Sequence, residues 1–157
     1  MGLVFIYRGK FWYGHADIPR SIRRRFKCRK TDIMGYEMIA AVAAIFEVEF
    51  IVPEHVCIRH FVDNTSANTC TIQGSSRQDD LNDIVGMLWH TAAHRTAAYW
   101  CEWVQSNANK ADAPSRNDCA LMKQLNGIEI QVDFNQYVSV ADSWKSNQEE
   151  YRLMRRG

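Results

Sequence analysis

The chain is poor in the features that mark secreted, membrane and zinc-binding proteins. Its 157 residues include only five cysteines, which are scattered and form no CxxC pair. An odd, dispersed set of thiols argues against a disulfide framework or a zinc site, so we expect reduced, mostly buried cysteines. No apolar run approaches the length of a membrane span, and the apolar start reaches Arg8 without a basic leader. We therefore expect an intracellular protein that is neither secreted nor membrane-bound, and a nuclear location is compatible with this expectation.

An excess of charge of one sign is also missing. The chain carries 19 basic and 18 acidic residues, for a formal net charge of +1. The distribution is less even, because seven basic residues fall between Arg20 and Lys30. A run like this is usually a solvated surface, and a patch that contacts phosphate groups is the alternative. The length and the hydrophobic content predict one soluble domain with a substantial core.

Two kinds of periodicity alternate along the chain. Two β-rich runs flank a turn at Gly9 and predict a hairpin. The strand predictions are Leu3–Tyr7, Phe11–Tyr13, Val56–Val62, Ala98–Val104 and Ile128–Val132. The helix predictions are Asp32–Glu47, Ser66–Ile72, Gln78–Thr96 and a short segment around Ala111 and Asp112. This order predicts an α/β fold with one mixed sheet, antiparallel in the hairpin and parallel across the later crossovers.

Three carboxylates stand out by their positions. Asp63 ends an apolar strand, Glu37 lies in an alanine-rich helix, and Asp112 begins a helical segment after a strand and loop. Ligands of α/β sheets bind beside the carboxyl ends of strands, and a cluster of acids needs a cation to offset its repulsion. Taken singly, each residue has an ordinary interpretation. Asp63 fits a helix N-cap, Glu37 fits a solvent-facing position, and Asp112 fits a cap beside Pro114.

Three segments in order resemble the RNase H domains of reverse transcriptases, most closely those of DIRS-like and related retroelements. They are YEMIAAVAAI (Tyr36–Ile45), FVDNTSA (Phe61–Ala67) and WVQSNANKADAPSR (Trp103–Arg116). The resemblance covers roughly residues 1–116, and the ADAPSR segment is its most specific part. It implies an RNase H-like mixed sheet with helices on both faces, followed by an extension of unknown role over residues 117–157.

The resemblance implies a set of site residues. Glu37, Asp63 and Asp112 match three metal-binding catalytic carboxylates, with Asn109 placed to orient the last of them. Two Mg²⁺ or Mn²⁺ ions would support cleavage of the RNA strand of an RNA–DNA hybrid. The residues expected to contact nucleic acid are Asn64, Thr65, Ser66, Arg23, Arg24 and Arg25.

The resemblance also has a departure. The family's first strand carries an aspartate that bridges both metals, whereas the two N-terminal runs here resemble the second and third strands. Asp17 follows the hairpin and does not match the missing aspartate. We therefore expect a domain truncated at its N-terminus, inactive or very weak alone, with an upstream reverse transcriptase segment as a partner.

Three hypotheses remain open from the sequence. The first is a two-metal ribonuclease H whose missing strand comes from a neighbouring segment. The second is a non-catalytic RNase H-like remnant that binds nucleic acid or has a structural role. The third is an unrelated α/β protein in which the three acids are coincidental. Convergence of Glu37, Asp63 and Asp112 on one cleft would separate the first two hypotheses from the third.

Overall fold

Five strands form two small sheets in the described part of the chain, which comprises residues 1–25, 33–52 and 55–154 of a computed structural model. The strands are β1 (Gly2–Tyr7), β2 (Lys10–His15), β3 (Cys57–Val62), β4 (Ala98–Trp103) and β5 (Ile128–Glu129). One sheet has the order β1-β2-β5 and the other pairs β3 with β4. The predicted mixed α/β class is confirmed, but the strands do not join into one sheet within these residues.

The N-terminal hairpin forms as the sequence predicts. β1 and β2 pair antiparallel from Gly2 opposite His15 to Tyr7 opposite Lys10. The two turn residues, Arg8 and Gly9, both have positive φ angles (49° and 75°), which is the two-residue turn that suits the twist of a hairpin. β5 adds to the far side of β2 in parallel, and β3 and β4 are also parallel to each other.

Seven α-helices and one 3-10 helix, Ser106–Ala108, accompany the sheets in the described residues. The α-helices are α1 (Arg20–Arg23), α2 (Ile33–Ile51), α3 (Thr65–Gln73), α4 (Asp79–Arg95), α5 (Asp112–Ser115), α6 (Ala120–Gln124) and α7 (Asn135–Met154). Helices α3 and α4 form the crossover between β3 and β4, as predicted. The predicted first residue of α2, Asp32, lies outside the described residues, as does the 26–30 part of the basic run. No described helix is long and apolar enough to cross a membrane.

The core is centred on the contact between α2 and α4. Helix α4 buries one apolar side, which includes Ile84, Val85 and Leu88. Helix α2 buries Val42 and Phe46, among others, in the same cluster. Burial of such side chains stabilises the fold by roughly 1.5–3 kcal/mol each before conformational entropy is subtracted.

The C-terminal residues pack on the same core. Tyr137 and Ala141 of α7 are buried in the cluster that α2 and α4 form. The ring of Trp144 lies directly over Gly86 of α4, where any side chain would collide with it. The extension over residues 117–157 therefore includes a helix, α7, whose first half packs on the core.

Candidate active site

A cavity of about 910 Å³ opens between β1 and β3. We call it the β1–β3 slot and define it by the strands on its two sides, residues 2–7 and 57–61, and by the face of α2 that includes Glu37, Ala40, Ala44 and Val48. Asn109, in the loop before α5, and Asp112, the first residue of α5, also line it. All three carboxylates singled out by the sequence line this cavity, so they do converge on one cleft.

Glu37 lies near the start of α2, on the face that points into the slot. The residue is half-buried, and burial raises the pKa of its carboxyl group above the ordinary glutamate value. The negative charges of Asp63 and Asp112 raise this pKa further, while the amino group of Met1 lowers it. The solvent-facing interpretation of Glu37 is therefore wrong.

Asp63 follows the last residue of β3, where the resemblance implied a metal ligand. The neighbouring Asn64 is the N-cap of α3, and its side-chain oxygen accepts a hydrogen bond from the Ala67 N–H at 3.0 Å. The cap interpretation of Asp63 is therefore wrong, and its carboxylate is left to face the slot. The indole N–H of Trp103 donates to the carbonyl oxygen of Asp63 at 3.1 Å and helps to fix the strand end.

Asp112 is the first residue of α5 and is held by local hydrogen bonds. Its N–H donates to the carbonyl oxygen of Asn109 at 3.2 Å, and the Asn109 side chain accepts from the Ala111 N–H at 3.0 Å. Asn109 thus shapes the turn that presents Asp112, which agrees with the orienting role expected for it. The carboxylate of Asp112 also pairs with Arg116 at 3.0 Å, on an exposed surface where such a pair contributes little.

The three carboxylates approach one another without closing into a ligand set. Asp63 and Asp112 are close enough for both charges to act on Glu37. Even so, the described residues contain no group of three His, Cys, Asp or Glu side chains that could hold a metal ion. Oxygen donors suit Mg²⁺ or Mn²⁺ by their chemistry, and as they stand the three acids do not form such a three-ligand group.

The residues expected to contact nucleic acid are spread over two surfaces. Thr65 and Ser66 are exposed in the first turn of α3 and line a separate shallow pocket. The side-chain oxygen of Asn64 already accepts the capping hydrogen bond from the Ala67 N–H. Arg23 and Arg24 are exposed, and Arg23 also lines the slot. Arg25 pairs with Asp142 of α7 at 2.9 Å, so this side chain joins α7 to the basic segment.

One polar pair beside the slot, of which only His60 lines the cavity, was not predicted from the sequence. His60 of β3 lies within hydrogen-bond distance of the Tyr99 hydroxyl on β4. Burial lowers the pKa of His60 to about 4, so the imidazole is neutral at physiological pH. A histidine in an apolar strand opposite a tyrosine-bearing strand is the signal that could have indicated this pair, but only the parallel register of β3 and β4 brings the two side chains together.

Comparisons with protein-family models, with curated proteins and with solved structures gave no match to this chain.

The raised pKa of Glu37 gives a stability test of the site. Between the ordinary glutamate pKa and the raised value, the folded state binds more protons than the unfolded state, so stability falls as pH rises through that window. A Glu37→Gln substitution removes this loss. We expect the variant to exceed the wild type in free energy of unfolding at neutral pH, and the difference to shrink towards pH 4. Urea unfolding across this range measures it, and a pH-independent difference would contradict the assignment.

Proposed function

We propose that the chain is an RNase H-like nucleic-acid hydrolase domain of a retrotransposon reverse transcriptase, directed at the RNA strand of RNA–DNA hybrids. The observation that carries the proposal is the convergence of Glu37, Asp63 and Asp112 on one cleft. In an unrelated α/β protein, nothing would require these three acids to lie beside one cavity, since they are 26 and 49 residues apart in sequence. The mixed α/β architecture is compatible with the RNase H-like fold that the resemblance implies.

The three carboxylates are presented by different elements around the slot. Asp63 belongs to the end of β3, Glu37 reaches in from α2, and Asp112 is presented by the turn that Asn109 shapes. Their negative charge would attract divalent cations, which when bound activate water and stabilise the leaving oxygen in phosphodiester cleavage. Because the three described acids do not form a three-ligand group, we propose that the isolated chain is inactive or very weak. A further oxygen ligand would have to come from another segment, for which an upstream part of a reverse transcriptase is our proposed source.

Nucleic-acid contacts are proposed on the surfaces around the slot. Arg23 and Arg24 are exposed cations near one side, and Thr65 and Ser66 offer hydroxyl groups beyond the end of β3. Such side chains contact phosphate and sugar groups, and they fit a protein that reads the shape of a hybrid duplex more than its base sequence. Arg25 is the weakest member of the expected set, since its guanidinium is already paired with Asp142.

A second candidate function is an RNase H-like remnant that binds nucleic acid without cleaving it. The lack of a three-ligand group among the described residues favours this alternative. The two candidates share the same binding surface and differ only in chemistry, so one assay addresses both.

The test is metal-dependent cleavage of a labelled RNA–DNA hybrid, with hybrid binding measured on the same samples. We expect the folded chain to bind the hybrid in preference to duplex DNA, with at most trace cleavage of the RNA strand in Mg²⁺ or Mn²⁺. Any such cleavage should be lost in Asp63→Asn. Cleavage lost in this way would support the hydrolase, and preferential binding alone would support the remnant.

The matched control is Asp118→Asn, which changes an exposed aspartate that does not line the slot. Its side chain accepts a hydrogen bond from the N–H of Ala120, the first residue of α6, a role that asparagine can also perform. This variant should retain the binding and any cleavage of the wild type. A folded wild-type chain that neither cleaves the hybrid nor prefers it to DNA would contradict both candidates.

A further inference from the structure

Two histidines lie one turn apart near the end of α4. His90 and His94 are four residues apart in sequence, so their side chains project from the same face of the helix. Both residues are exposed to solvent. Neither lines the β1–β3 slot, to which α4 contributes no residue. The pair is therefore a group of potential metal ligands that is separate from the three carboxylates.

The two imidazole rings are close enough to share one ion. Their centroids are 4.5 Å apart, and the ring planes meet at 64°. An ion bonded to one nitrogen of each ring at about 2.0 Å, with an angle of roughly 90–110° at the metal, would hold the centroids roughly 4.5–5 Å apart. The backbone of α4 therefore already holds the two rings at the separation that a shared ion requires.

Packing against α7 restricts the position of His90. Its ring centroid lies 5.9 Å from that of Trp144, and the two planes meet at 56°. The ring of Trp144 is itself fixed over Gly86 of α4, where it leaves no room for a side-chain carbon. A ligand that packing holds in place loses less conformational entropy on binding than a free surface side chain does. This contact therefore favours binding of an ion at the pair.

The surroundings of the pair carry charges of both signs. The two histidines lie in the last two turns of a 17-residue helix, and the carbonyl end of such a helix attracts cations. The guanidinium of Arg95 lies over the ring of Phe46, 4.7 Å from its centre. On α7, Lys145 is exposed and Asp142 is paired with Arg25. Because attraction by the helix end is opposed by two cationic side chains, affinity for an ion has to come from bonds to the imidazole nitrogens.

We propose that His90 and His94 form a binding site for one divalent transition-metal ion of the kind represented by Cu²⁺ and Zn²⁺. Imidazole nitrogen suits these ions, whereas Mg²⁺ and Mn²⁺ prefer oxygen ligands. Within the described residues no third histidine, cysteine or carboxylate joins the pair, so water would complete the coordination. Cu²⁺ should bind more tightly than Zn²⁺, as it does at most sites with nitrogen ligands. The site rests on this pair alone and does not depend on the proposed hydrolase chemistry.

The bound ion would join two successive turns of α4 beside α7. An ion that binds the folded state and not the unfolded state stabilises the fold. Saturating Zn²⁺ should therefore raise the thermal midpoint of the wild-type chain and leave that of His94→Ala unchanged. A rise of equal size in both proteins would place the stabilising ion elsewhere and overturn the proposal.

Titration of the full wild-type chain with Cu²⁺, followed by electron paramagnetic resonance, identifies the ligands without any substitution. We expect one tightly bound ion per chain, with a signal split by two coordinated nitrogen atoms. Zn²⁺ should displace this ion, and a large excess of Mg²⁺ should not. The proposal is overturned if no ion binds, if the signal shows one nitrogen, or if it shows sulfur ligation.

Variants locate the ion. His90→Ala and His94→Ala should each weaken Cu²⁺ binding about tenfold or more in calorimetry, because each removes one of two ligands. The matched controls are His15→Ala, at an exposed histidine of β2, and Cys57→Ser, at an exposed thiol of β3, and both should bind as the wild type does. Circular dichroism shows whether each variant is folded.

Three results of this series would contradict the shared site. They are a loss of binding in only one of the two α4 variants, an equal loss in His15→Ala, and a loss in Cys57→Ser. A chain that binds Cu²⁺ through both histidines but neither cleaves nor prefers the RNA–DNA hybrid would support this site while contradicting the proposed function. Hybrid cleavage or preference without such an ion would do the reverse.

Discussion

A Phe46→Ala substitution is expected to cost roughly 3–5 kcal/mol of unfolding free energy. Phe46 is fully buried at 0% exposure, inside the cluster where α2 meets α4. The guanidinium of Arg95 also lies 4.7 Å from the centre of its ring, so the substitution removes a cation–π contact as well as apolar burial. Because domains of this kind are stable by only about 5–15 kcal/mol, urea unfolding should show a large shift of the midpoint.

The same helix offers a matched control. Phe50 lies one turn further along α2 and is 72% exposed. Phe50→Ala should change the unfolding free energy by no more than about 0.5 kcal/mol, because little apolar area is lost at an exposed site. Equal losses at both positions would mean that α2 does not bury the face described above.

A Gly2→Ala substitution is expected to destabilise the chain by about 1–3 kcal/mol and to displace the loop that carries Asp112. A side-chain carbon at Gly2 would lie 2.5 Å from the carbonyl oxygen of Ala111 and closer still to the backbone nitrogen of Ser115. Both obstacles are backbone atoms, so the loop or β1 has to move. Thermal unfolding measures the loss of stability, and amide chemical shifts of residues 111–115 report the displacement.

Gly9→Asn is the control for this prediction. Gly9 lies in the same hairpin with a φ angle of 75°, and no atom lies within 4 Å of the place where its side chain would begin. Asparagine tolerates this backbone region better than other residues, so the cost should be small and the shifts of residues 111–115 unchanged. Displacement of the loop by both substitutions, or by neither, would contradict the close contact between β1 and α5.

The fold could be predicted from the sequence wherever one periodicity persists. The hairpin, β3, β4 and α4 all have a regular alternation or apolar stripe, and their observed bounds lie close to the predicted ones. The predicted end of α2 at Glu47 was too early, because a charged residue interrupts the pattern there. In the structure Glu47 is buried and accepts a hydrogen bond from the Asp133 N–H at 3.0 Å, a partner that is distant in sequence.

Other features depend on contacts that local patterns do not encode. Helix α7 has only a sparse apolar stripe of Tyr137, Ala141 and Trp144. Its position depends on packing against the core, including the contact of the Trp144 ring with Gly86 of α4. The division into two sheets depends on which strand edges meet, and no local pattern specifies that. At the site, the positions of Asp63 and Asp112 at element ends were predictable, whereas the capping by Asn64 and the His60–Tyr99 pair depend on side-chain geometry.

The close contact of Gly2 with the α5 loop couples the three acids to the geometry of the sheets. Asp112 follows a loop that leaves β4, the strand paired with β3, and that rests against Gly2 of β1. β1 and β3 share no hydrogen bonds in the described part of the chain, and they are held on one hydrophobic cluster through Leu3 and Val62. The separation of Asp63 and Asp112 is therefore set by side-chain packing beneath the two strands and by the single backbone contact at Gly2, so core substitutions far from the acids should also change it.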